Sequence, residues 1–252
     1  MDRQKDWREH IRETAYRWLL GERPRGCLGE NLLLLFGNPD EFDAPRVKEK
    51  FDSVEQVGVF LKGRYRVAGQ EGLLSYTTPK FGAPIVSHYV EVAAMAGVKR
   101  IISVGYVGGL ADDVRVGELF LCDRAMGLDG TTRSYFGGPR EFAATPRLSA
   151  ALEKTARAAG VGLSRGTVVS IDALMLECSA WVAEWRAAGY GAVDLETACL
   201  FGLGEKLGLE CAALHIVSDS PYRSDTDREA RHMASLDDQL RIALESMIGA
   251  GR

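Results

Sequence analysis

Residues 101–110 read Ile101-Ile102-Ser103-Val104-Gly105-Tyr106-Val107-Gly108-Gly109-Leu110, an apolar run that ends in a glycine-rich segment. Such a run is typical of a strand buried on both faces, and the glycines after it let the backbone approach a neighbour or a ligand closely. The preceding pattern, over residues 83–96, predicts a helix that stops at Gly97, and residues 118–125 predict a further strand. This alternation of helix and strand indicates an α/β fold.

The same alternation continues in both directions along the chain. Thr145-Pro146 offers a helix cap followed by proline at the first helical position. An amphipathic pattern at about residues 5–20 predicts an extra N-terminal helix. We therefore predict one α/β domain over residues 1–252, with a mixed central sheet flanked by helices. The other predicted strands are 32–36, 57–61, 65–68, 73–77, 166–171, 191–193 and 211–217, and the other predicted helices are 145–159, 179–188, 196–207 and 227–248.

The composition argues against several classes of protein. A formal net charge of −4, with 26% charged residues, gives no electrostatic reason to expect nucleic acid or an anionic membrane as a partner. The apolar runs are too short to span a bilayer, and the charged N-terminus is unlike a secretory signal. The five cysteines form no CxxC pair and the histidines are scattered. Neither a disulfide framework nor a metal site is therefore predicted, and a cytoplasmic location is expected.

Two acidic residues stand where a predicted strand meets a predicted helix. Ligands of α/β proteins tend to bind at the C-terminal edge of the sheet, so such positions are candidates for a site. Asp194 is expected to cap the helix, because negative charge is favourable at a helix N-terminus. Glu196 has the same option. Alternatively, its carboxylate can accept hydrogen bonds from two ribose hydroxyls and stabilise positive charge that develops on the sugar.

A third acidic residue closes the apolar strand at residues 211–217, in the segment Ser218-Asp219. An acid at the end of a buried strand is costly unless it has a partner or a task. Desolvation there would raise the pKa of Asp219 and make it a usable general acid. The alternative is that Asp219 begins a turn with Ser220 and Pro221.

Together these segments resemble the nucleoside phosphorylase superfamily, from about residue 32 to the C-terminal helix. The order and spacing of the matches make the resemblance specific; they are residues 101–110, Gly117-Glu118-Leu119, Leu128-Asp129-Gly130-Thr131, residues 193–198 and residues 217–219. The resemblance implies a single domain with a partly barrel-like sheet, a nucleoside as small-molecule substrate and no organic cofactor. It also implies a homo-oligomer, as a dimer, trimer or hexamer, in which Lys62 and Arg64 are candidates for groups lent to a neighbouring subunit.

The resemblance also implies roles for individual residues. Glu196 is similar to the glutamate that holds the ribose hydroxyls, and Leu195 stands in place of a methionine that packs on the sugar. Asp219 is similar to the aspartate that protonates a leaving purine, and Arg231 is a candidate to close over the site. Residues 170–175 are similar to the strand and loop that sandwich the base. The full set of predicted substrate-binding residues is Gly37, Ser103, Gly105, Tyr106, Gly108, Leu174, Met175, Asp194, Leu195, Ser218 and Arg231.

The sequence departs from the phosphorylase pattern where phosphate is held. Ser103 replaces an arginine two residues before Gly105, and Glu41 replaces a second arginine after Gly37. Arg46 is the candidate substitute if phosphate is the co-substrate. Tyr106 replaces a small hydroxyl residue, and Leu174 replaces an aromatic residue that stacks on the base.

Three functions follow from these departures. The first is hydrolysis of a nucleoside, purine-type in preference, through an oxocarbenium-like transition state, with Glu41, Glu196 and Asp219 as candidate catalytic residues. The second is phosphorolysis that uses Arg46 or a neighbouring subunit to hold phosphate. The third is a non-catalytic nucleoside-binding or storage protein. The missing arginines favour water as the acceptor, and the presence of both Glu196 and Asp219 favours an enzyme.

Overall fold

The computed structural model describes residues 3–37, 47, 49–67, 69–220 and 228–249, which form ten strands and seven α-helices. The strands are β1 Asn31–Leu35, β2 Phe51–Val57, β3 Phe60–Val67, β4 Gln70–Thr77, β5 Arg100–Gly109, β6 Leu119–Gly127, β7 Arg140–Ala143, β8 Leu163–Ser170, β9 Ala192–Asp194 and β10 Glu210–Asp219. The helices are α1 Arg3–Leu20, α2 Ala83–Met95, α3 Gly130–Phe136, α4 Pro146–Ala158, α5 Ser179–Ala187, α6 Thr197–Leu207 and α7 Arg228–Gly249, and a 3₁₀ turn spans Leu174–Leu176.

The strands form one mixed sheet that closes on itself at one end. Its order is β10-β6-β8-β9-β5-β1-β4-β3-β2, and an additional pairing of β10 with β5 closes β5, β10, β6, β8 and β9 into a barrel. Strand β5 is parallel to β1 and β10 and antiparallel to β9, so it is shared by the barrel and the open part of the sheet. The segment that indicated the fold thus lies at the centre of it.

Helices cover the two faces of this sheet. Helices α2 and α6 pack together over one apolar cluster, which contains Val90 and Leu200. Helices α4 and α7 pack together over a second cluster, which contains Leu152 and Leu240. Helix α1 lies against α2. Strand β5 is buried between the helical layers on both faces of the sheet, which explains why its apolar run is uninterrupted.

The predicted elements differ from the structure in three places. Residues 57–61 are not a strand: Val57 ends β2, Phe60 begins β3, and the turn between them uses Gly58 at φ +65°. Helix α3 and strand β7 were not predicted. The side chain of Thr145 does not cap α4; its hydroxyl oxygen accepts a hydrogen bond from the Cys211 backbone N–H at 2.9 Å instead.

No helix in the described part of the chain combines the length and the apolar composition that a bilayer crossing needs. Three predicted site residues lie outside what the structure describes. Glu41 and Arg46 fall in the undescribed segment 38–46, and the side chain of Arg231 is undescribed although its backbone belongs to α7.

Candidate active site

A cleft opens where β5, β9 and β10 meet, and it encloses about 640 Å³, part of which is open to solvent. Sequence analysis predicted eight of the lining residues, namely Tyr106, Gly108, Leu174, Asp194, Leu195, Glu196, Ser218 and Asp219. Five more were not predicted, namely Phe36, Phe81, Val107, Glu177 and Val193.

The floor of the cleft is formed by Gly108, at the end of β5. A Cβ atom on Gly108 would lie 3.0 Å from the Val193 side chain and 4.0 Å from Asp219 Oδ1. The approach of Val193 is tighter than an ordinary Cβ contact, so glycine at this position lets β9 lie close to β5. Gly105 has a different role, because a Cβ atom there would lie 2.8 Å from the Phe36 carbonyl oxygen. Gly105 is required for packing and does not line the cleft.

Glu196 lines the cleft and is only 6% exposed. Its Oε1 accepts a hydrogen bond from the Gly82 backbone N–H at 2.7 Å, and its Oε2 accepts one from the Leu195 N–H at 3.2 Å. The pKa of Glu196 is raised to about 8: burial is the largest cause, the charge of Asp194 adds to the rise, and the two N–H donors oppose it. Glu196 is therefore a desolvated acid held in place by backbone donors.

Gly82 presents its N–H to Glu196 from an unusual backbone conformation, with φ +99° just before helix α2. Residues with a Cβ atom rarely adopt such a value, so glycine is favoured at this position. Phe81, which precedes it, is 56% exposed and contributes an aromatic ring to the lining of the cleft. The loop before α2 therefore supplies both an aromatic wall and a donor to the buried acid.

Asp194 caps helix α6, as its position in the sequence suggested. Its Oδ2 accepts hydrogen bonds from the Thr197 backbone N–H at 3.0 Å and from the Thr197 hydroxyl, and its Oδ1 accepts one from the Ser170 hydroxyl at 2.5 Å. Ser170 in turn accepts from the Ala198 N–H at 3.0 Å. Burial raises the pKa of Asp194, and these donors oppose the rise. Asp194 lines the cleft, but its carboxylate oxygens are engaged in fixing the start of the helix that carries Glu196.

His215 extends the capping network into the core. Its Nε2 lies 3.0 Å from the Thr197 hydroxyl, and because that hydroxyl donates to Asp194, the imidazole N–H is the donor of this bond. Burial lowers the pKa of His215 to about 3, so the ring is neutral. His215 is thus a neutral histidine of the core, and its buried Nδ1 has no hydrogen-bond partner among the described residues.

Asp219 ends β10 beside the floor of the cleft. The register between β10 and β5 shifts by one residue between Val217 and Asp219, so that both Ser218 and Asp219 line the cleft. The Ser218 hydroxyl donates to Asp219 Oδ1 at 2.6 Å. Asp219 is only partly buried. Strong desolvation of this acid, expected from its place after a buried strand, is therefore not found.

The sequence analysis missed Glu177, a half-buried acid that lines the same cleft. Burial raises the pKa of Glu177, and the charge of Asp219 raises it further. Glu177 follows the 3₁₀ turn and comes shortly before α5. No local pattern marks it, because glutamate beside a helix start usually faces solvent.

Four predicted substrate-binding residues do not line the cleft, namely Gly37, Ser103, Gly105 and Met175. Ser103 lies within β5 and is only 1% exposed, because the layers on both faces of the sheet cover it. Met175 is 93% exposed on the 3₁₀ turn, whereas its neighbour Leu174 contributes to the lining. The predictions that Ser103, Gly105 and Met175 contact substrate are thus not supported by their positions. In the described ranges, no three His, Cys, Asp or Glu side chains are grouped as metal ligands would be.

These features define an α/β enzyme with an acidic cleft at the strand ends of a partly closed mixed sheet. Comparison with known proteins then identifies the family: the model of the phosphorylase superfamily matches residues 31–249, and the chain belongs to this superfamily. The predicted family, the barrel-like α/β fold and the assignment as an enzyme of nucleoside phosphorylase type are confirmed.

Individual relatives agree with this membership. The chain is 33% identical to a DeoD-type purine nucleoside phosphorylase of Geobacillus kaustophilus over 178 residues, which cover 68% of this chain and 72% of the relative. It is 25% identical to a guanosine phosphorylase of Halorubrum lacusprofundi over 226 residues, covering 86% and 92%. It is 28% identical to a DeoD-type purine nucleoside phosphorylase of Alkaliphilus metalliredigens over 229 residues, covering 88% and 95%.

Proposed function

We propose that this enzyme cleaves the N-glycosidic bond of a nucleoside, with purine nucleosides preferred, and that water is the acceptor. The observation that carries the proposal is that Glu196 and Asp219 line one cleft with apolar and aromatic walls. Cleavage of this bond needs two kinds of help. Positive charge that grows on the sugar must be stabilised, and the base must leave with a proton.

Glu196 is the proposed group at the sugar. In its ionised form it accepts hydrogen bonds from the ribose hydroxyls and stabilises an oxocarbenium-like transition state. The backbone donors of Gly82 and Leu195 hold the carboxylate in place and favour its ionised form. Leu195, Phe36 and Phe81 supply apolar surface for the nucleoside. Asp219 is the proposed group at the base.

The charges in the cleft favour water over phosphate as the acceptor. In the described part of the chain, no lysine or arginine lines the cleft, whereas Glu177, Asp194, Glu196 and Asp219 do. A phosphate dianion would be repelled by such a set of carboxyl groups. Water instead needs a carboxylate to accept its proton, and Glu41 is the proposed candidate. No metal or organic cofactor is proposed.

Phosphorolysis is the second candidate, and the relatives favour it, because the three compared are described as phosphorylases. It requires a cation that the described cleft lining does not provide. Arg46 or a neighbouring subunit is proposed to supply it, and phosphate would then be the co-substrate. A nucleoside-binding protein without turnover is less favoured, because both Glu196 and Asp219 line the cleft.

A panel of purine and pyrimidine nucleosides, incubated with and without phosphate, distinguishes these functions. We expect free ribose and free purine base in both conditions, at equal rates. Ribose 1-phosphate that forms only with phosphate would instead establish phosphorolysis. Failure to cleave any nucleoside would overturn the proposal. Glu196→Gln protein, prepared identically, is the control for contaminating activity.

We also propose that the enzyme is a homo-oligomer in which a neighbouring subunit completes the site. Of the two residues predicted to be lent, Lys62 is engaged within its own chain, since its ammonium group donates to the Cys27 carbonyl oxygen at 2.6 Å. Arg64 is exposed on β3 and is the better candidate. Light scattering should give a mass at least twice that of a single chain.

The matched variants Arg64→Ala and Arg66→Ala test whether Arg64 contributes to the site of a neighbouring subunit. Arg66 lies two residues along the same strand, is also exposed, and already pairs with Glu71. We expect Arg64→Ala to raise KM several-fold and Arg66→Ala to leave KM within about twofold, because exposed ion pairs contribute little. An active monomer would contradict the proposed assembly, and equal KM values for the two variants would exclude Arg64.

A further inference from the structure

Glu177 and Asp219 together form a wall between two cavities. Both line the main cleft, and both also line an adjoining cavity bounded by the start of α5, with Val182 and Ala183 among its apolar residues. Each of the two carboxyl groups is partly buried. A carboxyl group at the base end of the cleft therefore has a second carboxyl group as its neighbour.

In the described part of the chain, one cation borders the adjoining cavity and none lines the main cleft. From α5, Arg186 borders the adjoining cavity, but its guanidinium donates to the Leu110 carbonyl oxygen and pairs with Asp112 at 2.9 Å. From β10, the Ser218 hydroxyl donates to Asp219. The remaining titratable groups along the two cavities are Asp194, Glu196, Tyr106 and Cys178.

Two carboxyl groups in this setting bind one proton more readily than an isolated one, because ionising both would place like charges close together. The raised pKa of Glu177 agrees with this expectation, since burial is the larger cause and the charge of Asp219 the second. The proton held by such a pair belongs to both groups. It is available on the side of the cleft where the base must leave.

We propose that Glu177 shares one proton with Asp219 and thereby keeps Asp219 protonated until that residue protonates the leaving base. The inference rests on the proposed function. As the bond between the anomeric carbon and the base nitrogen breaks, its electron pair goes to the base, and a base nitrogen takes the proton from Asp219. Both carboxyl groups are then ionised. The proton lost by the attacking water returns to the pair through solvent, so the overall reaction is balanced.

Glu177→Gln tests this role, because glutamine keeps the size of the side chain but carries no charge that would favour a proton on Asp219. We expect kcat/KM for a purine nucleoside to fall about tenfold, at the lower end of general-acid effects. A nitrophenyl riboside, whose leaving group needs no protonation, should change less than about twofold. Glu184→Gln, an exposed glutamate on α5 outside the main cleft, is the matched control and should behave as the wild type.

The pH profile provides a second readout that a structural role would not move. The decline of kcat/KM at high pH reports loss of the shared proton. Removing one of two like charges should therefore move this decline to lower pH in Glu177→Gln. Adding Glu177→Gln to Asp219→Asn should cause little further loss, because the two residues act in series.

Three results would overturn the inference. They are an unchanged rate in Glu177→Gln, an equal loss on both substrates, and a tenfold loss with an unmoved pH profile. The proposed function fails separately, if the wild type cleaves no purine nucleoside. Should Glu177→Gln fold poorly, Glu177→Asp keeps the carboxyl group and should retain the wild-type dependence on the leaving group. If Glu177→Asp also loses the wild-type difference between the purine nucleoside and the nitrophenyl riboside, the shared proton would be contradicted.

Discussion

Replacing Glu196 by glutamine should lower kcat/KM for a nucleoside by about 30- to 1,000-fold, which corresponds to roughly 2–4 kcal/mol of transition-state stabilisation. Glutamine can still accept the hydrogen bond from Gly82, so the side chain is expected to stay in place. It cannot carry the negative charge that interacts with a positively charged sugar. The loss should therefore appear mainly in kcat, because that charge develops only in the transition state.

The same variant should be more stable than the wild type at neutral and alkaline pH. The folded protein holds the Glu196 proton up to a pKa of about 8, whereas an unfolded chain releases it near the ordinary pKa of a glutamate, about 4.5. A raised pKa contributes stability that is fully present below the unfolded value and is lost as pH rises through the folded value. Glutamine has no proton to lose. Its advantage should be absent below about pH 4.5 and should reach the order of 2–4 kcal/mol above pH 8.

Kinetics and thermal unfolding of the same preparation test both expectations. Glu205→Gln is the matched control, because Glu205 lies on the same helix, is exposed and pairs with Arg140 at the surface. It should alter neither activity nor the pH dependence of Tm. Near-normal kcat/KM in folded Glu196→Gln would defeat the assignment of Glu196 to the sugar. A Tm difference from the wild type that does not grow with pH would contradict the buried, protonated acid.

The sequence was sufficient to identify the residues at strand ends. Glu196 and Asp219 could be predicted because each follows an apolar strand, and in an α/β fold such ends converge. The capping role of Asp194 could also be predicted, since its capping contacts are local and involve Thr197, three residues further along the chain. The alternation of strand and helix was sufficient for the architecture, and the barrel closure followed from the family resemblance.

Contacts between distant parts of the chain could not be predicted. The Gly82 N–H that holds Glu196 comes from 114 residues away, and the sequence around Gly82 carries no sign of it. Glu177 becomes significant only because the 3₁₀ turn brings it to the cleft that Asp219 lines. A pattern of residue types does not report which segments meet in space.

Two of the predicted site residues, Ser103 and Met175, do not line the cleft, and one physical reason explains both positions. Ser103 and Met175 were assigned to the site because their neighbours in sequence resembled site residues. Within β5, however, Ser103 is enclosed by the layers on both faces of the sheet. On the 3₁₀ turn, Met175 points to solvent while Leu174 faces the cleft. The direction of a side chain decides its role, and adjacent residues can point in opposite directions.

Replacing Asp219 by asparagine should slow cleavage of a purine nucleoside by about 10²- to 10⁴-fold, the range of general acid catalysis. Asparagine keeps the shape and can still accept from the Ser218 hydroxyl, but it has no carboxyl proton to give. A purine is a poor leaving group as an anion, so its departure depends on that proton.

A nitrophenyl riboside leaves without protonation, and its cleavage by Asp219→Asn should therefore be reduced far less than that of the purine nucleoside. Both rates should be measured on one folded preparation, with Asp113→Asn as control, because Asp113 is exposed after β5 and lies outside the cleft. The partial exposure of Asp219 makes the comparison necessary, since burial alone does not establish it as the acid. An equal loss on both substrates would mean that Asp219 only shapes the cleft, and the proton for the base would then have to come from another group.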